Sequence, residues 1–408
     1  MVSPFALRLL SAAAALVLVG CGESGDPNAS DAGSAASGSA GAGSSRSADS
    51  AADVDWPFFG RVEERTQYIA DAPDPPFHYL WEFAAGQLIE FPPVLEDGAL
   101  FVVNKTGEVY GLRTATGKPV WRGNLGNDVT GPAYANGTLY LAQLGGVVTA
   151  LDPKTGKRKW SFRADSQLES SPLAIDGHVY LGSDAGYLYA LDDETGKLDW
   201  RRRLGSDIKA SPSYSNGVVY VGDYEGVVHA VDGASGQPRW ETDTTTVAPG
   251  GDGGFYSSPA IAFGRVFEAR DDGTIYALDA ETGKVDWHFV SSNAIYSSPA
   301  VADVPGTPPS VYVGSYDHQL YALDAESGRK RWVYNVGGPV PGTPTVVGRT
   351  VYTSSFQTKR TIGLDARTGE KVFGWGSAGY TPMVSDGERV FLTGFQTVWA
   401  FDAKRSGN

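Results

Sequence analysis

Short runs of alternating apolar and polar residues, each ending in a turn, fill most of the chain after residue 56. In one representative stretch, Leu188 and Ala190 alternate with their neighbours at the two-residue period of a β-strand. In the turn that follows, the Asp192 carboxylate can accept hydrogen bonds, and Gly196 can adopt a positive φ without steric cost. Trp200 then places a large apolar ring on the returning strand. The pattern therefore predicts a β-hairpin.

This hairpin recurs at spacings of 39 to 47 residues, and two kinds of marker accompany it. Its turn glycines are Gly117, Gly156, Gly196, Gly236, Gly283, Gly328 and Gly369. An aromatic residue stands four positions after each glycine, as Trp121, Trp160, Trp200, Trp240, Trp287, Trp332 and Phe373. A proline marks a further strand in each copy, as Pro93, Pro132, Pro172, Pro212, Pro259, Pro299, Pro344 and Pro382. Each unit predicts four short strands in about 40 residues, the size of a propeller blade.

The two ends of the chain are expected to share one blade. The last copy runs to Asp402 and stops before any aromatic strand. Trp81 lies 12 residues before Pro93, the same offset as Trp200 before Pro212, so it supplies the missing strand. Such closure removes the open edges that a linear array would expose. We therefore predict an all-β fold, an eight-bladed β-propeller of four-stranded antiparallel blades whose last blade is closed by an N-terminal strand.

The hairpin sequence from Ala190 to Trp200 resembles the PQQ-type repeat, A-L-D-x-x-T-G-x-x-x-W, and the likeness runs from Trp56 to Lys404. The eight-bladed propellers of that family include quinoprotein dehydrogenases and the non-enzymatic BamB lipoproteins of outer-membrane assembly. The resemblance implies that the aromatic residue of each hairpin stacks on the glycine turn of a neighbouring blade. This role falls to Trp81, Trp121, Trp160, Trp200, Trp240, Trp287, Trp332 and Phe373.

Four departures from the repeat affect single blades, namely Arg113 in the Asp place, Ser235 and Ser327 for Thr, and Phe373 for Trp. The segment that begins Trp56-Pro57-Phe58 resembles the lead-in of BamB-like propellers, and we expect it to pack on the side of the ring.

The amino terminus resembles that of a bacterial lipoprotein. Arg8 precedes the apolar run Leu9 to Gly20, which is too short to span a bilayer as a helix. The run ends in Leu18-Val19-Gly20-Cys21, similar to a lipobox, so we predict residues 1–21 to be a signal peptide and Cys21 the lipid attachment site. A buried structural thiol is the alternative for this single cysteine.

Beyond the signal, the composition divides the chain into three further segments. Residues 22–53 are rich in Gly, Ser, Ala and Asp with almost nothing apolar to bury, which predicts a disordered tether. We expect residues 54–404 to form the propeller and residues 405–408 a C-terminal tail. A net charge of −14 argues against a nucleic-acid partner, because phosphates require a basic surface. We expect an extracytoplasmic monomer that contacts a bacterial membrane through its lipid anchor alone, in the periplasm or on the outer cell surface.

The sequence offers little sign of catalysis. Five histidines show no metal-ligand spacing, and no second cysteine exists. The motif G-x-G-x-x-G at 374–379 precedes a strand instead of a helix, so it is not a dinucleotide site. Asp271-Asp272-Gly273 reads as a turn between strands. A quinoprotein dehydrogenase would need PQQ, an adjacent cysteine pair and calcium-ligating carboxylates. We therefore predict no catalytic residues, no metal and no cofactor, with PQQ as the alternative.

Two insertions lengthen the repeat, one of seven residues around 247–256 and one of five around 304–309. The first is expected on the face that carries the loops before each proline marker, the second on the opposite face. We predict a binding site on the first of these faces, made of aromatic and charged residues. They are Phe91, Glu169, Lys209, Tyr256, Tyr296, Tyr316, Asp317, Phe356 and Tyr380. The alternative is that each tyrosine only packs against the adjacent blade.

Three interpretations of function stay open. The favoured one is a non-catalytic lipoprotein scaffold that binds a protein partner in the cell envelope, similar to BamB. The second is a PQQ-dependent quinoprotein dehydrogenase. The third is a propeller that binds a small molecule or glycan in its central funnel.

Overall fold

A computed structural model of the protein describes residues 56–126, 128–247, 253–380 and 382–403. Cys21, the predicted signal peptide at 1–21, the predicted tether at 22–53 and the predicted tail at 405–408 lie outside the described residues. The described chain folds into eight sheets, each with four antiparallel strands, and one sheet gains a fifth, parallel strand. The first strands of successive blades contact one another, which places them innermost around a central channel. The predicted eight-bladed propeller is confirmed.

Two strands precede the first blade, β1 (Tyr68–Ile69) and β2 (Phe77–Ala84). Blade 1 contains β3 (Val94–Glu96), β4 (Ala99–Val103), β5 (Glu108–Arg113) and β6 (Pro119–Asn124). Blade 2 contains β7 (Ala133–Ala135), β8 (Thr138–Gln143), β9 (Val147–Leu151) and β10 (Arg158–Arg163). Blade 3 contains β11 (Leu173–Ile175), β12 (His178–Gly182), β13 (Tyr187–Asp192) and β14 (Leu198–Arg203). Blade 4 contains β15 (Ser213–Ser215), β16 (Val218–Gly222), β17 (Val227–Asp232) and β18 (Pro238–Asp243), followed by a 3-10 turn at Thr244–Thr246.

The other four blades repeat this order. Blade 5 contains β19 (Ala260–Ala262), β20 (Arg265–Ala269), β21 (Thr274–Asp279) and β22 (Val285–Val290). Blade 6 contains β23 (Ala300–Ala302), β24 (Ser310–Gly314), β25 (Gln319–Asp324) and β26 (Lys330–Asn335). Blade 7 contains β27 (Thr345–Val347), β28 (Thr350–Ser355), β29 (Arg360–Asp365) and β30 (Lys371–Trp375). Blade 8 contains β31 (Met383–Ser385), β32 (Arg389–Thr393) and β33 (Thr397–Ala403), with β2 as its outermost strand.

The hairpin turn that joins β13 to β14 shows why the repeat motif has its residues. The Asp192 Oδ1 atom accepts the backbone N–H of Thr195 at 2.7 Å, and Gly196 has a φ of +69°. The register then pairs Ala190 with Trp200 across the two strands. Every blade places an alanine or glycine opposite its aromatic residue in this way, because a larger side chain would occupy the space of the ring.

Tryptophan joins each blade to the next. The Trp200 indole N–H donates to the carbonyl oxygen of Gly233 at 2.9 Å, and a Cβ atom added to Gly236 would lie 2.6 Å from the indole ring. The equivalent indole-to-carbonyl distances at the other six such contacts range from 2.6 to 3.1 Å. Their indoles are Trp81, Trp121, Trp160, Trp240, Trp287 and Trp332. Each ring therefore needs the bare glycine of the next blade's turn.

Phe373 lies at the one blade-to-blade contact that lacks such a turn. Its ring meets Phe77 edge to face, with the ring centroids 5.4 Å apart. In blade 8 the third strand, β33, and the outermost strand, β2, come from opposite ends of the chain. No hairpin of the described residues links these two strands, so no turn glycine among them faces Phe373.

The lead-in segment, which we define as residues 56–69, lies inside the central channel. Trp56 pairs with Leu95 of the innermost strand in blade 1. Backbone carbonyls of the segment accept N–H groups from the innermost strands of blades 2, 4, 5 and 6, and β1 pairs in parallel with β27 of blade 7. The expectation that it packs on the side of the ring is wrong. The innermost strands have one unpaired edge facing the channel, and the lead-in segment supplies hydrogen-bond partners for that edge.

Arg65 is the buried centre of the lead-in segment. Its Nε atom donates to the carbonyl of Pro212 at 2.5 Å, and another guanidinium nitrogen donates to the carbonyl of Pro172 at 3.4 Å. Burial lowers the pKa of Arg65 to about 9. The side chain thus connects blades 3 and 4 to the lead-in segment.

A second set of cross-blade bonds explains the Ser-Pro markers. The backbone N–H of Ser171 donates to the Ser211 hydroxyl at 2.9 Å, and that of Ser211 donates to the Ser258 hydroxyl at 3.0 Å. The same link joins Gly131 to Ser171, Ser258 to Ser298 and Ser298 to Thr343. We call this series the serine belt. It ties the innermost strands of blades 2 to 7 together around the channel.

None of the helical residues within the described ranges forms a segment long and apolar enough to cross a membrane.

Candidate functional site

The loops that enter the innermost strands share one face of the ring with the turns between the second and third strands. We call this the top face, and the opposite one the bottom face. All nine residues of the predicted binding site are half-buried on the top face. They fall into two clusters and two isolated positions, which the following paragraphs describe.

The first cluster contains an ion pair between neighbouring blades. Lys209 Nζ lies 3.1 Å from Glu169 Oε1 and 4.9 Å from the centre of the Tyr224 ring. Burial alone would lower the pKa of Lys209, but its bond to Glu169 and the charge of Asp184 raise it above the usual range. Lys209 is therefore a fixed cation among carboxylates and an aromatic face.

Asp184 belongs to this cluster, although the sequence analysis did not select it. Its carboxyl is half-buried in the turn between β12 and β13, and its Oδ1 atom is buried without a hydrogen-bond partner among the described residues. Burial and the nearby charge of Glu169 raise the pKa of Asp184 to about 6. Its place in a top-face turn, next to the selected Glu169, was the signal that could have found it.

Three tyrosines continue the first cluster across blades 5 and 6. The ring of Tyr256 meets that of Tyr296 edge to face, with centroids 6.0 Å apart. Tyr296 in turn meets Tyr316 at 5.1 Å. We call these residues the tyrosine cluster. Tyr256 is among the groups that raise the pKa of Lys209, so the tyrosine cluster lies beside the ion pair.

The second cluster is aromatic and lies on blades 7 and 8. Phe356 and Tyr380 meet at a centroid distance of 4.7 Å, and Phe356 and Phe395 meet at 6.1 Å. Phe395, which the sequence analysis missed, is 52% exposed in the turn between β32 and β33. Its place in that top-face turn was the available signal.

Phe91 and Asp317 are the isolated positions. Phe91 lies against blade 2, since a Cβ atom added to Gly131 would be 3.3 Å from the Phe91 side chain. The Asp317 carboxylate accepts the N–H groups of Ser292 and Gln319 and the Tyr321 hydroxyl. Its oxygens are therefore occupied in fixing the top-face turn.

The seven-residue insertion is anchored at its end. Residues 248–252 lie outside the described residues, and Phe255, which precedes Tyr256 in the chain, is fully buried. The Phe255 N–H donates to the carbonyl of Asp223 at 2.9 Å. Phe255 therefore anchors the insertion between blades 4 and 5, whereas the adjacent Tyr256 is half-buried.

Buried polar groups lie beneath that anchor. His229 Nε2 lies 3.0 Å from Asp223 Oδ2, and both side chains are buried. Glu268 has no exposed surface, and neither carboxyl oxygen has a hydrogen-bond partner among the described residues. Burial raises the pKa of Glu268 well above its ordinary value.

The turn at 271–273 serves the same region. Asp271 accepts the Gly254 N–H at 2.9 Å and Asp272 accepts the Thr274 N–H at 2.9 Å, so both carboxylates hold turns. Arg270, fully buried, pairs with Asp272. These contacts position the insertion.

The residues present do not fit PQQ held by a calcium ion. No group of three His, Cys, Asp or Glu side chains in the described part of the chain is placed to hold a metal. The chain has one cysteine, so it cannot form the adjacent pair that the dehydrogenases carry. The Lys209 ammonium, a cation that could face an anionic cofactor, is already paired with Glu169.

In this ring a tryptophan of one blade stacks on a turn glycine of the next, and an N-terminal strand closes the last blade. These features define a PQQ-like repeat propeller. A family model described as "Outer membrane protein assembly factor BamB" matches residues 78–207, 165–251 and 184–407. Together these matches cover most of the chain, and the chain belongs to this family.

Individual relatives match over shorter stretches. The outer membrane protein assembly factor BamB of Nitrosomonas eutropha is 30% identical over 100 residues, which is 24% of this chain and 24% of that protein. The chain thus matches about a quarter of the length of that relative.

Solved structures show the same fold. The crystal structure of BamB from Moraxella catarrhalis superposes with a TM-score of 0.67 at 17% identity, over 80% of this chain and 99% of that one. Quinohemoprotein alcohol dehydrogenase from Comamonas testosteroni superposes with a TM-score of 0.72 at 17% identity, over 87% of this chain and 82% of that one. At such identities the likeness concerns the fold alone.

Proposed function

We propose that this protein is a non-catalytic scaffold of the cell envelope that binds a protein partner on its top face. The observation that carries the proposal is the tyrosine cluster, which lies beside the Lys209–Glu169 pair across blades 3 to 6. Tyrosine supplies large contact area and a polar tip at a low cost in side-chain entropy, and aromatic residues are enriched where proteins bind each other. The Lys209–Glu169 ion pair beside the tyrosines can orient a partner through charge complementarity.

The shape of the channel supports a surface site over a deep one. The lead-in segment bonds to the innermost strands of six blades, and it occupies the interior of the channel. A small molecule or glycan in the central funnel would have to compete with it. A protein partner would instead contact the mouth of the channel and the turns around it.

The location follows from the family and from the predicted anchor. The relative from Nitrosomonas eutropha is named an outer membrane protein assembly factor, and we extend an envelope location to this chain on that ground. We further propose that Cys21 carries the lipid that holds the protein at a membrane. The Cys21→Ser chain should fold and yet be washed from membranes at high salt.

A crosslinking experiment tests the proposed face. A photoreactive phenylalanine at position 296 should crosslink a protein partner in intact envelopes, whereas one at exposed Val372 on the outermost strand of blade 7 should not. The double variant Tyr256→Ala with Tyr316→Ala should reduce the crosslinked product about tenfold or more. The matched control is Tyr79→Ala with Phe263→Ala, two exposed aromatic residues away from the top face.

Two outcomes would contradict this function. Equal crosslinking at positions 296 and 372, or an equal loss in both double variants, would remove the top face as the site. Dye reduction on alcohols or sugars after incubation with PQQ and calcium would instead make the protein an enzyme.

A further inference from the structure

The outer edge of blades 1 and 2 carries positive charge that the top-face site does not use. We compare the outer hairpin of each blade, from the first residue of its turn to the end of its outermost strand. In blades 1 and 2 these hairpins are residues 113–124 and 152–163, with eight Lys or Arg residues and one carboxylate, a net charge of +7. The equivalent hairpins of blades 4 and 5, residues 232–243 and 279–290, have a net charge of −4. The positive charge is therefore local, in a chain whose net charge is −14.

This charge is not neutralised within the two hairpins. All eight cations are exposed. Arg122 pairs with Glu108 on the neighbouring strand, and the other seven form no ion pair with a described residue. The one carboxylate, Asp152, accepts the backbone N–H of Thr155 at 2.8 Å and so holds its own turn.

Six of the cations lie in the two turns or in the residues that directly follow them. We call these six the basic rim, and they are Arg113, Lys118, Lys154, Lys157, Arg158 and Lys159. The Trp121 indole N–H donates to the carbonyl of Pro153 at 2.6 Å, which fixes one turn against the other. Lys159 Nζ lies 2.8 Å from the carbonyl oxygen of Gly137, in the bottom-face turn between β7 and β8. The basic rim therefore forms one surface where the side of the ring meets the bottom face.

Arg113 is the departure from the repeat that enlarges this surface. The same position holds an aspartate in the hairpins of blades 2 to 7, as Asp152, Asp192, Asp232, Asp279, Asp324 and Asp365. The Arg113 carbonyl accepts the N–H of Gly117 at 2.8 Å, and the Asp152 carbonyl accepts that of Gly156 at the same distance. The turn thus keeps its backbone bond while a carboxylate is exchanged for a cation.

We infer that the basic rim binds the anionic headgroup surface of a phospholipid bilayer. Each Lys or Arg near such a surface is attracted by many phosphates at once and needs no enclosing pocket. Salt screens charges more than about 10 Å away, so carboxylates elsewhere on the ring act weakly on the contact. A protein partner fits less well, because protein interfaces have an apolar centre that is depleted in lysine. Val120 is the one large exposed apolar residue in these two hairpins, both of which the structure describes in full.

Such a contact orients the ring. The basic rim borders the bottom face, so a bilayer there leaves the top face and its tyrosine cluster directed away from the membrane. It adds a second membrane contact to the lipid anchor that we expect at Cys21. The inference does not depend on the top-face function, which crosslinking at position 296 tests separately.

Flotation with vesicles tests the basic rim on the full chain with Cys21→Ser, which excludes an attached lipid. The vesicles are phosphatidylcholine with and without phosphatidylglycerol, at low and at high salt. The difference between the two compositions removes any contribution from the apolar run at 9–20. We expect partitioning that requires phosphatidylglycerol and falls at high salt.

Three variants locate the contact. Lys157→Gln with Arg158→Gln should weaken partitioning about twentyfold, which is about fivefold for each cation. The matched control is Arg329→Gln with Lys330→Gln, two exposed cations at the same repeat positions of blade 6 across the ring, and it should change partitioning less than about twofold. Arg113→Asp restores the residue of the other turns, so it should keep the fold and weaken partitioning about twentyfold through a change of two charges.

Several outcomes overturn the inference. One is equal flotation on both lipid compositions, and another is an equal loss in the two double variants. A photoreactive phenylalanine in place of Lys154 should form lipid adducts in intact envelopes, and adducts with protein alone would assign the basic rim to a protein partner instead. Equal urea midpoints of the variants exclude a loss of folding as the cause.

Discussion

Two blade-to-blade contacts of this propeller solve the same packing problem differently. Between blades 3 and 4, Trp200 of blade 3 covers Gly236 and donates its indole N–H to the carbonyl of Gly233. Between blades 7 and 8, Phe373 covers no glycine turn in the described part of the chain and meets Phe77 instead. The comparison indicates that an indole suits a position where the next blade offers a turn carbonyl and a bare glycine. Where β2 closes the ring in place of a hairpin, an indole at position 373 would have neither the carbonyl acceptor nor the bare glycine that Trp200 uses.

Removing the closure should have the largest effect. Deletion of residues 56–84 takes away the lead-in segment and β2, which reopens blade 8 and the inner edges of the blades around the channel. We expect loss of the whole cooperative stability, on the order of 5–15 kcal/mol. Circular dichroism during urea unfolding measures it. Deletion of residues 1–53 is the control, and a sigmoidal transition kept by the shorter chain would contradict the closure.

The Trp200 contact should be worth more than the Phe373 contact. Trp200→Ala removes a large ring and leaves the Gly233 carbonyl without its donor, which should cost about 3–5 kcal/mol. Phe373→Ala removes a smaller ring and no hydrogen bond, so its cost should be about 1 kcal/mol lower. Urea midpoints of the two variants compare them directly. Equal midpoints would mean that the turn adds nothing to the docking of the ring.

Gly236→Ala tests the other side of the same contact. Gly236 has a φ of +65°, and an added Cβ atom would lie 2.6 Å from the Trp200 ring. Backbone strain and overpacking together should cost about 2–4 kcal/mol. Gly217→Ala is the matched control, because Gly217 has a φ of +80° with nothing within 4 Å of the added atom. It should lose only about 1 kcal/mol, and a similar loss in both variants would exclude a clash with the ring.

The contact between blades 4 and 5 offers a smaller, pH-dependent comparison. Glu268 occupies the place that Leu181 has in blade 3, and its folded-state pKa is raised well above the ordinary value of 4.5. Because the Glu268 pKa is raised in the folded state, the free energy of unfolding is highest below pH 4.5, where the carboxyl is protonated in both the folded and the unfolded chain. It falls as the pH rises, because only the unfolded chain can then ionise this group freely. Glu268→Leu should therefore gain about 1–2 kcal/mol over the wild type at pH 8 and less at pH 4.

Glu268→Gln separates the charge from the burial of a polar group. Glutamine has nearly the same shape as glutamate and does not ionise. The difference in urea midpoint between Glu268→Gln and Glu268→Leu should therefore stay constant from pH 4 to pH 8. If the wild type and Glu268→Gln follow the same pH curve, the Glu268 carboxyl does not titrate against folding.

Phe373→Trp should have the smallest effect. The larger ring meets Phe77 and Tyr352, and no turn carbonyl of the described residues takes the place of Gly233. We expect a change of about 1 kcal/mol or less in the free energy of unfolding, without a gain. A gain in the urea midpoint as large as the Trp200→Ala loss would show that the indole alone, without its turn, carries the docking energy.

Much of the fold was present in local sequence. The order of Asp192, Gly196 and Trp200 predicts a hairpin, because the turn hydrogen bond, the positive φ and the strand register all involve neighbouring residues. Its recurrence counts the blades, and the offset of Trp81 from Pro93 closes the ring. The small residue opposite each aromatic ring belongs to the same local rule.

Other features depend on residues that are far apart along the chain. The serine belt joins Ser171 to Ser211 and its equivalents, and Arg65 reaches the carbonyl of Pro212 from within the channel. The sequence contains these serines and this arginine, but it does not show which backbone N–H and carbonyl groups they bond. That need arises when the ring closes and leaves the inner edges of the blades unpaired.

The candidate sites divide in the same way. Position in the repeat placed Lys209 and Tyr296 on the top face, while their contacts with Glu169 and Tyr316 follow from the spacing of neighbouring blades. Phe255 shows the converse, since its place beside Tyr256 in the chain gave no sign that it would be buried between two blades. Local pattern assigns each residue to a strand or a turn through short-range backbone preferences. Burial and pairing between blades are set by the closed ring, because only there do residues from distant repeats come within contact distance.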